Sequence, residues 1–433
     1  MKNYSWLIIL FFPSITWAQS SLLTIDDAVK MALQNNYAVQ IVSNDTVIGK
    51  INNNWANAGA VPVVSATANR TIATNNIEQQ LQNGTNIKTN GASVNNFNAG
   101  LTISWRFFDG MKMFATKKRL EEIEKLGQYN FRKMANETVY DVMAAYYNII
   151  RLKQQANAIK EVITLFSERL KIAEAKFNIG SSSKTDILQA KVDRNEQQSN
   201  LLSIENNISN SKTILNNLLA RDPATGFETA DSFNIHKTID FAGIQQKTEN
   251  QNPEILLAQS NLAVLMHTKK EINSQRLPSA TLSGNYNFIH NKNAAGFTLL
   301  NQSYGPSTGL GISIPIFNGG IVKRQLEVAD INIKNQQLLN QQIKNQLQTA
   351  LTNSYLNYNN GLKLMAMENE NMVIVKENNF INLERFKKLS ITSIELRQGQ
   401  VNYTDAQTRL INAMYQTKMA EAEMLLLAGE IAN

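Results

Sequence analysis

His236, His267 and His290 are the only histidines among 433 residues, and cysteine is absent. Without cysteine there is no disulfide framework, no thiolate-held metal and no lipid on an N-terminal cysteine. The histidines fall on a linker, a helix and a strand end, so solvated or locally bonded rings are expected rather than a ligand set. No catalytic residue, metal or cofactor is expected, and the chain does not read as an enzyme. Gly319-Gly320 precedes a helix but lacks the lysine pattern of a phosphate loop, and reads as a strand-to-helix corner. The charge pattern that repeats is a carboxylate followed a turn later by an amide: Asp186 with Gln189, and Glu395 with Gln398, 209 residues further on. Carboxylates gathered in a ring would attract cations, whereas a single one is an exposed helix residue.

These pairs sit inside a duplication of nearly the whole chain. Residues 105–110 recur as 314–319, and the same offset of 209 brings Phe177 onto Phe386 and Asp186 onto Glu395. Upstream the offset is 216, with Asn36-Tyr37-Ala38-Val39 matching Asn252-Pro253-Glu254-Ile255 and Pro62 matching Pro278. The difference between 216 and 209 makes one segment of the first half seven residues longer than its twin. The organisation expected is a signal peptide over 1–18, a first repeat over 19–221, a linker or equatorial segment over 222–250 and a second repeat over 251–433. Lys2, the apolar run 6–12 and Thr16-Trp17-Ala18 carry the signal-peptide reading.

Elements of unusual length must position the acidic pairs. No proline lies between 62 and 223 or after 315, and 111–179 and 321–394 each contain a single glycine, Gly127 and Gly361. Helices of about 70 residues fit those gaps, each roughly 100 Å long at 1.5 Å per residue. Short breaks follow, over 178–184 with Ile179-Gly180-Ser181 and over 387–393 with Leu389-Ser390-Ile391. Return helices are expected over about 185–220 and 394–428, which makes each half an antiparallel helical hairpin. Leu165, Leu170, Ala173 and Phe177 approach one tip and Leu383 and Phe386 the other, at the spacing of coiled-coil seams.

Ahead of each long helix the pattern alternates with period two, predicting strands over about 61–73, 97–108, 278–290 and 308–317. Leu101, Ile103, Trp105 and Phe107 share a face opposite Thr102, Ser104 and Arg106; Tyr286 and Phe288 stand opposite Asn285 and Asn287; Ile314 and Ile316 flank Pro315. Arg70 interrupts the apolar face of the first strand. Polar segments 75–96 and 291–308 read as loops between the strands. A water-soluble sheet gives the same alternation, but two strands beside such a helix have no core to pack on. In an exported chain, Trp105, Phe107, Tyr286, Phe288, Ile314 and Ile316 can face or border lipid instead. Membrane strands must close into a barrel, bacterial barrels start at about eight strands, and a polar-lined bore needs more. Three chains of four strands, twelve in all, meet that need. The fold class expected is mainly α with a small membrane β part. The formal charge of +7 is spread along the chain and implies no nucleic acid partner.

With these features in place the chain resembles the TolC-like outer-membrane efflux proteins of Gram-negative bacteria. Leu23-Thr24-Ile25-Asp26-Asp27-Ala28 resembles their first helix; Phe108-Asp109-Gly110 and Phe317-Asn318-Gly319-Gly320 their strand-to-helix corners. Phe177-Asn178-Ile179-Gly180 with Thr185-Asp186-Ile187, and Ser393-Ile394-Glu395-Leu396, resemble their hairpin tips. The resemblance implies a homotrimer whose 12-stranded barrel lies in outer-membrane lipid and continues as a helical periplasmic tunnel. It implies tips (Ile179, Gly180, Ser181, Leu389, Ser390, Ile391) that meet a periplasmic adaptor and an inner-membrane transporter driven by protons or ATP. It also places Glu395, Gln398, Asp186 and Gln189 at the periplasmic aperture. The cargo is drugs, metal ions or secreted proteins. A secreted coiled-coil scaffold or adhesin without a pore is the reading from another class; it leaves the duplicated strands unexplained.

Overall fold

A computed structural model describes residues 22–236 and 238–431; the signal peptide expected over 1–18 lies outside them. In chain order the elements are β1 (Leu22–Leu23), α1 (Ile25–Asn35), α2 (Tyr37–Asn52), β2 (Val63–Gln80), β3 (Asn86–Phe108), α3 (Lys112–Asn178), α4 (Lys184–Leu218), β4 (Glu228–Thr229), α5 (Phe241–Gln251), α6 (Pro253–Ser274), β5 (Ser279–Asn293), β6 (Leu300–Ser313), α7 (Ile321–Lys387) and α8 (Ser393–Ala428). The mainly α class is what the proline gaps and helical seams predict. The duplication is kept element by element: α3 and α7 both run 67 residues and begin and end 209 residues apart. The starts of α4 and α8 keep the same offset, and those of α2 and α6, and of β2 and β5, keep 216.

The chain divides into two compact units. One comprises residues 41–133 and 249–348 and holds an antiparallel sheet ordered β2-β3-β5-β6, so that β2 and β6 are its edges. The strands extend well beyond the expected bounds, and the segments read as loops over 75–96 and 291–308 are largely strand. Asn86 pairs with Gln80 and Leu300 with Lys292, leaving only tight turns between. Asn, Thr and Gly suggested a loop, but cross-strand hydrogen bonding and side-chain fit override the weak strand propensity of Asn and Gly. The opposite error occurs at 308–317, because β6 stops at Ser313. Its partner β5 starts after Pro278, and Pro315 has no N–H to donate to a ladder. Below the sheet, Arg119 of α3 pairs with Glu271 of α6 at 2.8 Å, and Lys269 of α6 pairs with Asp330 of α7. Each strand-to-helix corner carries two consecutive left-handed residues, Gly110-Met111 and Gly319-Gly320. At Gly110 a Cβ would also stand 2.6 Å from the Ser274 carbonyl oxygen, so only glycine fits.

The other unit comprises residues 22–40, 134–248 and 349–431 among those described. Its core gathers Ala28, Ala32, Tyr146, Ile149, Ile150, Leu215 and Phe227. Tyr146 ties β1 and β4 together, donating to the Leu23 carbonyl at 2.9 Å and accepting from the Ala230 amide at 3.1 Å. The 222–250 segment is stapled down by buried Glu421, which bonds His236 Nδ1 at 2.6 Å and Lys418 Nζ at 2.9 Å. Toward the tips the two hairpins pack through small apolar clusters, Val162–Phe166–Tyr403 and Ile172 against Leu383–Phe386–Leu396.

Candidate functional site

Register in the sheet decides which side chains share a face. Going across it, rows of partners run Trp105–Leu282–Leu310, then Val64–Ile103–Gly284–Thr308, then Ala66–Leu101–Tyr286–Pro306, then Ala68–Ala99–Phe288–Tyr304. These rows form one continuous apolar face, and its large side chains are exposed apart from half-buried Phe288. The next row, Arg70–Phe97–His290–Gln302, ends the band, and Arg70 Nε donates to Asn95 Oδ1 at 3.1 Å there. Arg70 therefore stands at an edge rather than inside an apolar patch. Between Ala99 and Phe108 the band covers roughly 20–25 Å once a strand tilt of about 40° is allowed for. Aromatic side chains mark both edges. Trp105 and Phe107 stand 6.0 Å apart near the helices, and Phe97 and Phe288 6.1 Å apart toward the hairpin turns. A bulge between Arg106 and Phe108 makes Phe107 the extra residue of β3.

The opposite face is built from Ser, Thr, Asn and Gly: Ser65–Thr102–Asn285–Ser307, Thr67–Gly100–Asn287–Gly305 and neighbouring rows. Trp105, Tyr286 and Phe288 thus stand on the apolar face as expected. Ile314 and Ile316 do not lie on a strand; they follow β6, and Ile316 is 95% exposed.

At the tips the acidic residues have a local task that the sequence reading missed. Asp186 and Glu395 are the third residues of α4 and α8, and each closes a capping box. The Thr392 amide donates to Glu395 Oε2 at 2.7 Å and the Glu395 amide to Thr392 Oγ1 at 3.2 Å. In the first half the Ser183 amide donates to Asp186 Oδ2 at 3.2 Å, and Ser182 Oγ donates to the same oxygen at 2.7 Å. Ser-x-x-Asp and Thr-x-x-Glu ahead of a helix are the sequence signals that announce such boxes. Hydrogen bonds from Thr392 lower the Glu395 carboxyl below its usual range, and the bond from Ser182 does so first for Asp186. Both caps are thus fully made above the ordinary carboxylate range and weaken only as pH falls through the lowered values. Gln398 donates to Asn402 at 2.8 Å on the helix surface, whereas Gln189 donates to Asp193 at 2.8 Å and so joins a buried network.

Gly180 and Leu389 are twins at the offset of 209, and both end a helix in the left-handed conformation, with φ of 74° and 63°. The Ser181 amide bonds the Lys176 carbonyl and the Ser390 amide the Arg385 carbonyl, each at 2.9 Å. Leucine is disfavoured in this conformation by about 1–2 kcal/mol, partly offset by the extra unfolded-state freedom of glycine. Leu389→Gly is expected to stabilise this turn by about 0.5–1 kcal/mol, read as slower hydrogen exchange at the Ser390 amide. Ile179, Leu389 and Ile394 are exposed at the tips, Leu389 while holding that strained backbone.

Above the tips, Arg169 of α3 is 1% exposed and donates through Nη1 to Asp193 Oδ2 at 2.7 Å. The same oxygen takes Arg397 Nε of α8 at 3.1 Å, and Arg169 Nη2 donates to Ser393 Oγ at 3.1 Å. This network binds the first hairpin to the second. No cluster able to hold a metal occurs among the described residues, and none of their helices is long and apolar enough to cross a membrane.

Residues 29–221 match the family described as outer membrane efflux protein. Outer membrane protein TolC of Escherichia coli (strain K12) is 22% identical over 255 residues, 56% of this chain and 51% of that protein. Outer membrane efflux protein BepC of Brucella suis biovar 1 (strain 1330) is 19% identical over 335 residues, 77% of this chain and 72% of that protein. The chain spans about half the length of the TolC relatives it matches. The solved outer membrane protein VceC of Vibrio cholerae shares the fold with a TM-score of 0.78 at 15% identity, over 94% of this chain and 96% of that one. In the family match over residues 29–221, in these relatives and in the shared fold, the chain is similar to the outer membrane efflux proteins, TolC among them.

Proposed function

We propose that the protein is a passive exit duct of the outer membrane. Three copies close their sheets into a 12-stranded barrel, and their helical hairpins form a periplasmic conduit. The observation that carries this reading is the apolar band with an aromatic row at each edge, backed by a polar face and bounded by two unpaired strand edges, β2 and β6. A bilayer covers such a band, and closure with other copies removes both edges. The helices support the same count. Met367, Ile374 and Ile381, and beside them Val373 and Phe380, recur every seven residues along α7 and are exposed in the single chain. That is a coiled-coil seam awaiting a partner helix. Exposed Ile179, Leu389 and Ile394 give the tips apolar contacts for a periplasmic adaptor, which links the duct to an inner-membrane transporter. Cargo enters from that transporter, so drugs, metal ions or secreted proteins are selected there and not by the duct.

The test is reconstitution. Heat-sensitive trimers are expected in outer-membrane fractions, with ion conductance in planar bilayers; a soluble, non-conducting protein would overturn the reading. Glu395 serves the aperture as well as its cap, three copies forming a cation-attracting ring. Glu395→Ala is expected to lower cation selectivity and change single-channel conductance. Unchanged ion selectivity would leave Glu395 a capping residue alone.

A further inference from the structure

Charge is distributed unevenly over the two faces of the sheet. From the helix side up to Asn75, the polar face carries Ser, Thr, Asn, Gly and a few apolar residues on all four strands, and a single ionised side chain, Arg106. Its row is Arg106–Thr281–Gly311, next to Ser104–Ser283–Gly309. Because Phe108 pairs with Ala280 on the opposite face, Arg106 is the last residue that β3 places on this one, at the end nearest the helices. The other basic residues of the strands are accounted for elsewhere. Arg70, His290 and Lys292 alternate onto the apolar face, at or beyond the edge of the band, and Lys88 pairs with Glu78 at 3.1 Å near the first hairpin turn.

Arg106 is exposed and makes no ion pair among the described residues. The carboxylate closest to it in sequence, Asp109, accepts from the Met113 amide at 3.1 Å instead. The guanidinium therefore does nothing for the sheet, yet it stays ionised at every physiological pH. Its twin at the offset of 209 is Pro315, so each copy contributes one such charge and not two.

We infer, resting on the trimeric duct reading, that three copies of Arg106 form a basic ring at the helix-side end of the bore, and that this ring binds carboxylate or phosphate groups of passing cargo. Twelve strands about 4.8 Å apart and tilted by about 40° place the wall roughly 12 Å from the axis. An arginine pointing inward carries its charge closer, to within about one Debye length (~8–10 Å) of an ion on the axis. Screening by physiological salt is then only partial, and no carboxylate on this stretch of the polar face opposes the ring. The planar fork of the guanidinium suits oxyanions, which it bonds through two N–H groups at once. The duct then holds two rings of opposite sign, the proposed acidic one of Glu395 and this basic one, and its charge selectivity is the balance between them.

Reversal potentials of the reconstituted trimer in planar bilayers, under a potassium chloride gradient, test the ring. Arg106→Gln should raise the cation-to-anion permeability ratio about two- to fivefold, and Arg106→Glu further. In a Glu395→Ala background the channel should turn toward anions, and adding Arg106→Gln should abolish that turn. Tripolyphosphate should reduce wild-type conductance at a concentration about tenfold lower than in Arg106→Gln. The chain has no cysteine, so Arg106→Cys offers one thiol per copy for reaction after assembly. A methanethiosulfonate bearing a sulfonate should shift that channel toward cations, and one bearing a trimethylammonium toward anions. Conducting trimers whose selectivity is indifferent to the charge at 106 overturn the ring. Selectivity that follows this charge while the tripolyphosphate block is unchanged overturns its role in binding cargo. A chain that neither trimerises nor conducts overturns the duct itself, a separate outcome.

Discussion

Asp193→Ala is expected to cost about 3–5 kcal/mol in the part of the hairpins near the tips, the penalty for leaving a buried charge unpaired. Arg169 reaches almost no solvent, and the Asp193 side chain is 3% exposed. Arg169 Nε already lacks a partner, so after the substitution the guanidinium would keep only Ser393 Oγ. Gln189 and Arg397 would lose their acceptor on Asp193 in the same step. The loss belongs to the broken pair and not to the worth of the pair itself. Replacing both members with apolar residues, Arg169→Met with Asp193→Leu, is therefore expected to recover most of the stability. Hydrogen exchange along residues 162–175 and 396–406 measures it, because local opening there need not involve global unfolding. Equal protection in Asp193→Ala and wild type would mean that water reaches Arg169 and the network is not load-carrying.

That network was not legible in the sequence, and the reason is physical. Arg169 and Asp193 look like solvated helix residues, and only the approach of α8 encloses them. Glu395 and Asp186 were legible as special but not in their local role. Their repetition drew notice to a ring, while the preceding Thr392 and Ser183 already spelled out capping boxes. The duplication, by contrast, carried most of the architecture. It put α3 and α7 in matching places, because both the strand corners and the tips recur at a single offset, and the two helices begin and end 209 residues apart. It also exposes where sequence departs from backbone. Met111 takes the left-handed conformation of its twin Gly320, and Leu389 that of Gly180, so the repeated geometry survives loss of the glycine. The strand ends were misread because Asn and Gly are poor strand formers in isolation. Alternation continues through them all the same, and pairing with a partner strand decides the conformation.

Ile103→Arg is expected to remove most of the protein from the membrane-inserted, heat-sensitive trimer. Ile103 lies inside the apolar band, beside Val64 and Gly284, one row from Trp105 and two from Ala99. An arginine at the middle of a lipid-facing barrel wall costs about 2–4 kcal/mol. In the proposed barrel of three copies the substitution occurs three times, so the assembly would lose roughly three times that amount. Ser104→Arg, one residue along, points to the polar face among Ser283 and Gly309, where water in the bore can hydrate the guanidinium. Its expected cost is within about 1 kcal/mol, and its trace should be a shift in ion selectivity. Phe97→Arg gives the depth control. Its row already holds Arg70 and His290, so a cost of about 0–1 kcal/mol is expected there. The order of trimer yield in outer-membrane fractions should be Ser104→Arg and Phe97→Arg close to wild type, with Ile103→Arg far below. A steep dependence on both face and row is what lipid imposes. A sheet covered by protein would penalise Ile103→Arg and Phe97→Arg alike, and a sheet in water would tolerate all three.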